Sequence, residues 1–493
     1  MHQWRQRVII SNMKKTVAVF ILFSALFAIN AAGMSEYTPM ITVQPSNLQA
    51  EETKAQARSI SQILYSLGNL YSYLDNNFLY DIDTESIETG LITAMIDSLG
   101  DQYSYYIPPE SALDFEENTE GEYVGIGTYL TKMNPAHADP DDPESWMVII
   151  ASPFPGGPAD RAGLRPRDMI SAINGENVAS MTATEASDMM KGHIGDDITL
   201  TVHRGSAVFD ITLQPEVVTT PSTVSGMLTD DIGYIAIYTF SLTTGTSFIN
   251  DIEKLLSAGA EKLIIDLRNN GGGTVQSALE IADLFLSSGE MLETKYKPAS
   301  GRSETIIYAD QDILIPEDIP LLLIVNGGTA SSSEILTGAL KDNGRAIVLG
   351  SQTFGKGISQ EIRPYRGGFI QITTGHFYTP SGNDIHEVGI TPDILVEEPE
   401  YTDEEMEAFE AFMEEDRFSS YIEEYPEYTK ENIENFAKEN NSSGVPEDLL
   451  RILIRNEYLY TMDYDERPVA DIWFDPYITA ALEDMDESIP SET

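Results

Sequence analysis

The chain has 493 residues, enough for roughly two to four domains with cores of their own. Its apolar fraction of 42% is ordinary for a soluble globular protein, but 80 acidic against 29 basic residues give a formal charge of −51. That charge argues against a nucleic-acid ligand, and the absence of cysteine excludes disulfides, thiolate zinc sites, a cysteine nucleophile and a lipidated cysteine anchor.

Arg5, Arg7, Lys14 and Lys15 precede the apolar run TVAVFILFSALFAI (16–29), which is followed by the small residues Ala31, Ala32 and Gly33. A basic flank, an apolar core and small residues together read as an export signal or N-terminal anchor over 1–33. The expected location is periplasmic, or the extracytoplasmic face of a bacterial membrane. Residues 34–55 are polar and irregular and read as a linker. Ile60, Ile63, Leu64, Leu67, Leu70, Tyr71 and Leu74 recur at helical spacing, and a second helix is expected over 84–98. Each has one apolar stripe, so the helical region 56–118 should pack onto another element.

From 119 to 216 short strands and turns take over: EYVGIGTYL (122–130), WMVIIASPF (146–154), a helix over 183–192 and a strand over 197–205. From 217 to 397 apolar strands alternate with helices. Strands are expected at 232–240, 262–268, 320–326, 346–351 and 368–379, and helices near 245–257, 274–287 and 331–342. That alternation predicts an α/β layer fold. Residues 398–493 are strongly acidic, yet Thr402 and Glu405 form a capping box ahead of the stripe Met406, Phe409, Phe412 and Met413. They read as an acidic helical C-terminal appendage, and the whole as a multi-domain α/β protein.

GGTASSSEIL (327–336) places Ser331, Ser332 and Ser333 at a turn before a helix, where a serine is either a nucleophile or a cap. Histidine is scarce, with no HExxH, so a zinc enzyme is disfavoured. A histidine base would have to be His376 or His386. The other base open to a serine is a lysine, and Lys356 lies between glycines in QTFGKGISQEI. It must be neutral to act, hence desolvated or near positive charge. Gln360, four residues on, returns to the same side in helix or strand. A solvated loop lysine is the alternative.

The stretch VNGGTASSSEILTGALKDNGRAIVLGSQTFGKGISQ (325–360) resembles the catalytic segment of the C-terminal processing, or tail-specific, serine peptidases. DLRNNGGG (266–273) and FYTPSGNDIHEVGITPDILV (377–396) resemble further segments of that family, and SPFPGGPADRAGLRPRDMISAINGENV resembles its PDZ domain. The resemblance runs from about 60 to 397. It implies a serine endopeptidase with a Ser-Lys dyad, in which Ser331 is the nucleophile, Lys356 the general base and Gln360 its positioner. It implies an oxyanion hole from the backbone N–H groups of Gly273 and Ser332, with Gly272 a near alternative. It also implies a carboxylate-binding loop of Gly125, Ile126 and Gly127, and substrates that are proteins or peptides with exposed C-terminal tails. No metal or organic cofactor is implied. Membrane anchoring at the N-terminus and a homo-oligomer are both compatible with it. Two departures stand out. Met190-Lys191-Gly192-His193 lacks the arginine that couples peptide binding to activation in the family, and NPAHADPDDPES (134–145) is an acidic insertion.

Overall fold

A computed structural model describes residues 60–133, 143–310, 313–397, 399–413, 417–462 and 466–485. The signal-like segment, the linker and most of the acidic insertion lie outside these residues. The described residues fall into two compact units, one of 113–359 with 374–485 and the other of 60–112 with 360–373.

In the larger unit the strands Thr223–Met227, Ile232–Ile237, Lys262–Asp266, Leu321–Val325, Ile347–Gly350 and Ile394–Leu395 lie side by side in chain order. The first pair is antiparallel and the others parallel. Parallel strands added successively on the same side by right-handed crossovers put every connecting helix on one face. Helices Thr244–Ala258, Val275–Asp283 and Ser332–Asp342 accordingly share a core with Ile235, Ile237, Leu263, Ile265, Leu323 and Val325.

The alternate strand residues, Tyr234, Ala236, Ile264, Leu322, Ile324 and Leu349, belong to a second core. Its cover is the helix Pro476–Asp484, through Tyr477, Ile478, Ala481 and Leu482. The end of the acidic region thus forms the second layer on the sheet. Burial on both faces is why these strands read as unbroken apolar runs. Ahead of that helix, a separate helical core gathers Phe412, Phe418, Phe436, Leu450, Ile454 and Tyr458, with the Thr402–Glu405 capping box at its start.

Residues 119–216 are rich in short strands. Strands Thr128–Thr131, Val148–Pro153, Met169–Ile173, Ile198–Arg204 and Ala207–Leu213 pair in that order, and the helix Ala183–Lys191 packs on them through Ala186 and Met190. EYVGIGTYL is two strands, Glu122–Gly125 and Thr128–Thr131, broken at Ile126-Gly127. Strand Glu290–Tyr296, which pairs with Thr305–Tyr308 and with residues 375–378, carries no apolar run in the sequence.

In the smaller unit Asp83 caps the helix Thr84–Asp97, and strand Tyr105–Ile107 pairs antiparallel with residues 369–371. Helix Ile60–Asn77 buries none of its residues, so its apolar stripe has no cover among the described residues, contrary to the packing its pattern predicts.

Candidate active site

Ser331 ends the turn that follows the strand Leu321–Val325 and directly precedes the helix Ser332–Asp342. Thr329 fixes that turn: its Oγ1 donates to the Leu267 carbonyl (2.8 Å) and accepts from the Asn326 amide (3.0 Å). Ser331 itself is 7% exposed, with φ 57° and ψ −118°, a conformation that L-residues rarely adopt. Strained backbone of this kind persists only where its surroundings over-determine it.

The three serines separate by their contacts. Ser332 Oγ donates to the Gly273 carbonyl (2.9 Å) and Ser333 Oγ to the Asn270 carbonyl (2.9 Å), so both tie the helix to the glycine turn that ends the strand Lys262–Asp266. Gly272 presses on Ser331: a Cβ there would lie 2.8 Å from Ser331 Cβ and 2.9 Å from the Ser332 nitrogen. The Gly272 amide donates to Asn270 Oδ1 (2.9 Å), which takes it out of use as an oxyanion donor. Gly273 is wedged against Phe240, whose carbonyl oxygen would be 2.1 Å from a Cβ at 273. Among the described residues neither the Gly273 nor the Ser332 amide has a hydrogen-bond acceptor.

The residue that assembles the site is Glu334, the third residue of the helix Ser332–Asp342. It is fully buried. One of its oxygens, Oε2, accepts from the Ser331 amide (2.9 Å) and from the Lys356 amide (2.8 Å). The other, Oε1, accepts from Thr353 Oγ1 (2.6 Å) and the Gly355 amide (2.8 Å). Burial pushes the carboxyl above its ordinary pKa, and these donors act in the opposite direction. A capping-box spacing, Ser331 to Glu334, was the one legible signal for it.

Lys356 is half-buried in the loop between Ile347–Gly350 and Ile358–Tyr365. Its two glycine neighbours let the loop close on residues 385–389. A Cβ at Gly355 would be 2.9 Å from the Gly389 nitrogen, and one at Gly357 2.4 Å from the His386 nitrogen. Gln360 lies in the strand Ile358–Tyr365 and belongs to the smaller unit. His376 sits 3.5 Å from Asp384 and edge-on to His386, with ring centroids 5.3 Å apart.

The strand Lys262–Asp266 is anchored from the C-terminal layer. Arg268 pairs with Asp266 (2.6 Å) and with Asp475 (2.8 Å), and lies over the Tyr477 ring, while the Tyr234 hydroxyl donates to Asp266 (2.8 Å). Asp475 also caps the helix Pro476–Asp484.

In the β-rich domain Thr128–Thr131 pairs only with Val148–Pro153 among the described strands, which leaves its other edge open beside Ala183–Lys191. Gly125, Ile126 and Gly127 lie at the start of that edge. Lys191 is held by Glu117 (2.8 Å) and Asp114 (3.1 Å).

Comparison with known proteins gives consistent matches. Residues 231–396 match the model of peptidase family S41, and residues 149–204 that of the PDZ domain. A probable CtpA-like serine protease of Staphylococcus aureus strain N315 is 32% identical over 371 residues, 75% of this chain and 72% of that protein. Its counterpart in strain COL is 33% identical over 340 residues, 69% of this chain and 66% of that protein. Among solved structures, a photosystem II D1 C-terminal processing protease matches at 26% identity and a TM-score of 0.39, over 72% of this chain and 92% of that one. The chain therefore spans about two thirds of the curated relatives it matches.

Proposed function

From the premise that this chain belongs to peptidase family S41 and carries a PDZ domain, we propose that it is an exported serine endopeptidase that cleaves proteins bearing exposed C-terminal tails. The observation that carries the reading is the shared oxygen of Glu334, which ties the backbone of Ser331 to that of Lys356. Two residues 25 positions apart, both matching the family's dyad, are thereby held by one buried group.

In this scheme neutral Lys356 takes the Ser331 hydroxyl proton as Oγ attacks the scissile carbonyl. The tetrahedral oxyanion is received by the Gly273 and Ser332 amides. The protonated lysine then gives its proton to the leaving amine, which leaves an acyl-enzyme ester on Ser331. A water molecule, deprotonated by the same lysine, hydrolyses that ester. Gln360 positions the ammonium. The PDZ domain takes the substrate tail as an added strand along Thr128–Thr131, with the terminal carboxylate at the Gly125–Gly127 loop. Neither a metal nor an organic cofactor enters these steps. The signal-like segment 1–33 supports export.

The test is incubation with an unfolded protein whose C-terminus is apolar. Wild type should cleave it, and Ser331→Ala and Lys356→Ala should both fail while keeping their circular dichroism. Full activity in Lys356→Ala would refute the assignment of the base. Failure of wild type itself to cleave would favour a catalytically silent peptide-binding scaffold. Loss of cleavage when the substrate carboxylate is amidated would support tail recognition.

A further inference from the structure

The Gly272 and Gly273 amides lie beside the Ser331-Ser332 turn, and one buried side chain puts them to different uses. Asn270 is fully buried. Its Oδ1 accepts from the Gly272 amide (2.9 Å), and its Nδ2 donates to the carbonyl of Ile237 (2.8 Å), the last residue of the strand Ile232–Ile237. Exchanging O and N in that side chain would set donor against donor and acceptor against acceptor, so its orientation is fixed. The main-chain carbonyl of Asn270 accepts from the Ala330 amide (3.0 Å) and from Ser333 Oγ (2.9 Å). One residue thus registers a strand end, the glycine turn and the segment that carries Ser331.

The peptide unit between the two glycines is fixed from its other side. The Gly272 carbonyl accepts from the Phe240 amide (3.0 Å), and the Thr274 amide donates to the Phe240 carbonyl (2.6 Å), which makes a parallel bridge between Phe240 and Gly273. In a planar trans peptide the N–H points opposite to the C=O. The Gly273 N–H shares its plane with the Gly272 carbonyl and is therefore turned away from Phe240. The Gly273 carbonyl, next along the chain, meets Ser332 Oγ (2.9 Å). The turn consumes the Gly272 amide and leaves that of Gly273.

We infer that Asn270 is a positioning residue for the reaction, which makes Gly273 rather than Gly272 the oxyanion donor. This rests on the peptidase reading above, in which Ser331 is the nucleophile. By holding the Gly272 N–H, the Asn270 side chain removes the competing donor and fixes the turn from which the Gly273 N–H projects. Both glycines have positive φ, 102° and 140°, and a glycine pair has wide conformational freedom unless neighbouring groups restrain it. A donor aimed in advance stabilises the tetrahedral oxyanion at no cost of reorganisation during the reaction.

The experiment uses the full chain with two probes. One is an apolar peptide aldehyde, whose carbonyl carbon takes up Ser331 Oγ to form a hemiacetal; the other is the corresponding primary alcohol, which cannot. In wild type isotopically labelled at glycine nitrogen, nuclear magnetic resonance should show the aldehyde shifting the Gly273 amide proton downfield and leaving that of Gly272 in place. A downfield shift at Gly272 instead would overturn the selection, and this measurement stands whether or not a variant folds. Asn270→Ala should lower kcat by about 100-fold and weaken aldehyde binding by a similar factor, with KM and alcohol binding changed less than about twofold. If kcat is retained, or if KM and alcohol binding worsen as much as kcat, Asn270 is structural only and the inference fails. Ser331→Ala distinguishes this failure from that of the reading beneath it. Should that variant bind the aldehyde as tightly as wild type, the nucleophile assignment itself is wrong, and the role of Asn270 falls with it.

Discussion

The main-chain nitrogens of Ser331 and Lys356 are bound by the same oxygen atom, Oε2 of Glu334, at 2.9 and 2.8 Å. Residues distant in sequence are thus fixed by one side chain that sits on the first turn of the helix carrying neither of them at its centre. Positioning of this kind matters because a misplacement of about 1 Å can cost on the order of 100-fold in rate.

Glu334→Gln is therefore expected to lower kcat by about 100-fold with little change in KM. The amide retains one acceptor oxygen and turns an NH2 toward groups that donate, so stability should fall by about 2–4 kcal/mol. Urea unfolding and peptidase kinetics on the same preparations separate the two effects. A variant that loses stability but keeps kcat would make Glu334 structural only.

The pH dependence of the same pair has a definite sign. Burial raises the Glu334 carboxyl above its unfolded value, so the folded protein holds that proton more tightly. The contribution is complete below the ordinary glutamate range and is lost as pH rises through the elevated folded pKa. The stability of wild type minus that of Glu334→Gln should accordingly fall with rising pH across that window. Denaturant melts of both proteins at several pH values measure it, and a flat or rising difference would contradict the assignment.

Gly272→Ala should abolish peptidase activity without removing any catalytic group. The new Cβ would stand 2.8 Å from Ser331 Cβ at a φ of +102°. Backbone strain there is expected to cost about 1–3 kcal/mol, and displacement of Ser331 to reduce kcat by 100-fold or more. Active-site labelling with a serine-reactive fluorophosphonate should weaken in parallel.

Asp475→Ala tests whether the C-terminal layer supports the site. It removes an ion pair from Arg268 and the cap of the helix Pro476–Asp484 together, with an expected loss of about 2–4 kcal/mol. Kinetics at a temperature where the variant remains folded should show a lower kcat, because Arg268 follows directly on the strand that leads to the Gly272-Gly273 turn. Unchanged stability would show that Asp266 alone satisfies the guanidinium.

Much of this protein was legible in its sequence, and for one reason: local patterns report local structure. Apolar runs marked the sheet strands Ile232–Ile237, Lys262–Asp266 and Leu321–Val325 to within a few residues of their observed ends. The spacing of Ser331, Lys356 and Gln360, and the glycines about them, marked a candidate dyad by resemblance. Tertiary structure decided what depends on contacts between distant residues. The one-sided crossovers leave the other face of the sheet bare, and it is tertiary packing that sets the C-terminal helix Pro476–Asp484 on it. That Glu334 binds the backbone of both Ser331 and Lys356 is a matter of where a carboxylate ends up once the chain has folded. The sequence carries that residue only as a helix-cap glutamate, because a side chain's reach across the fold leaves no periodicity to read.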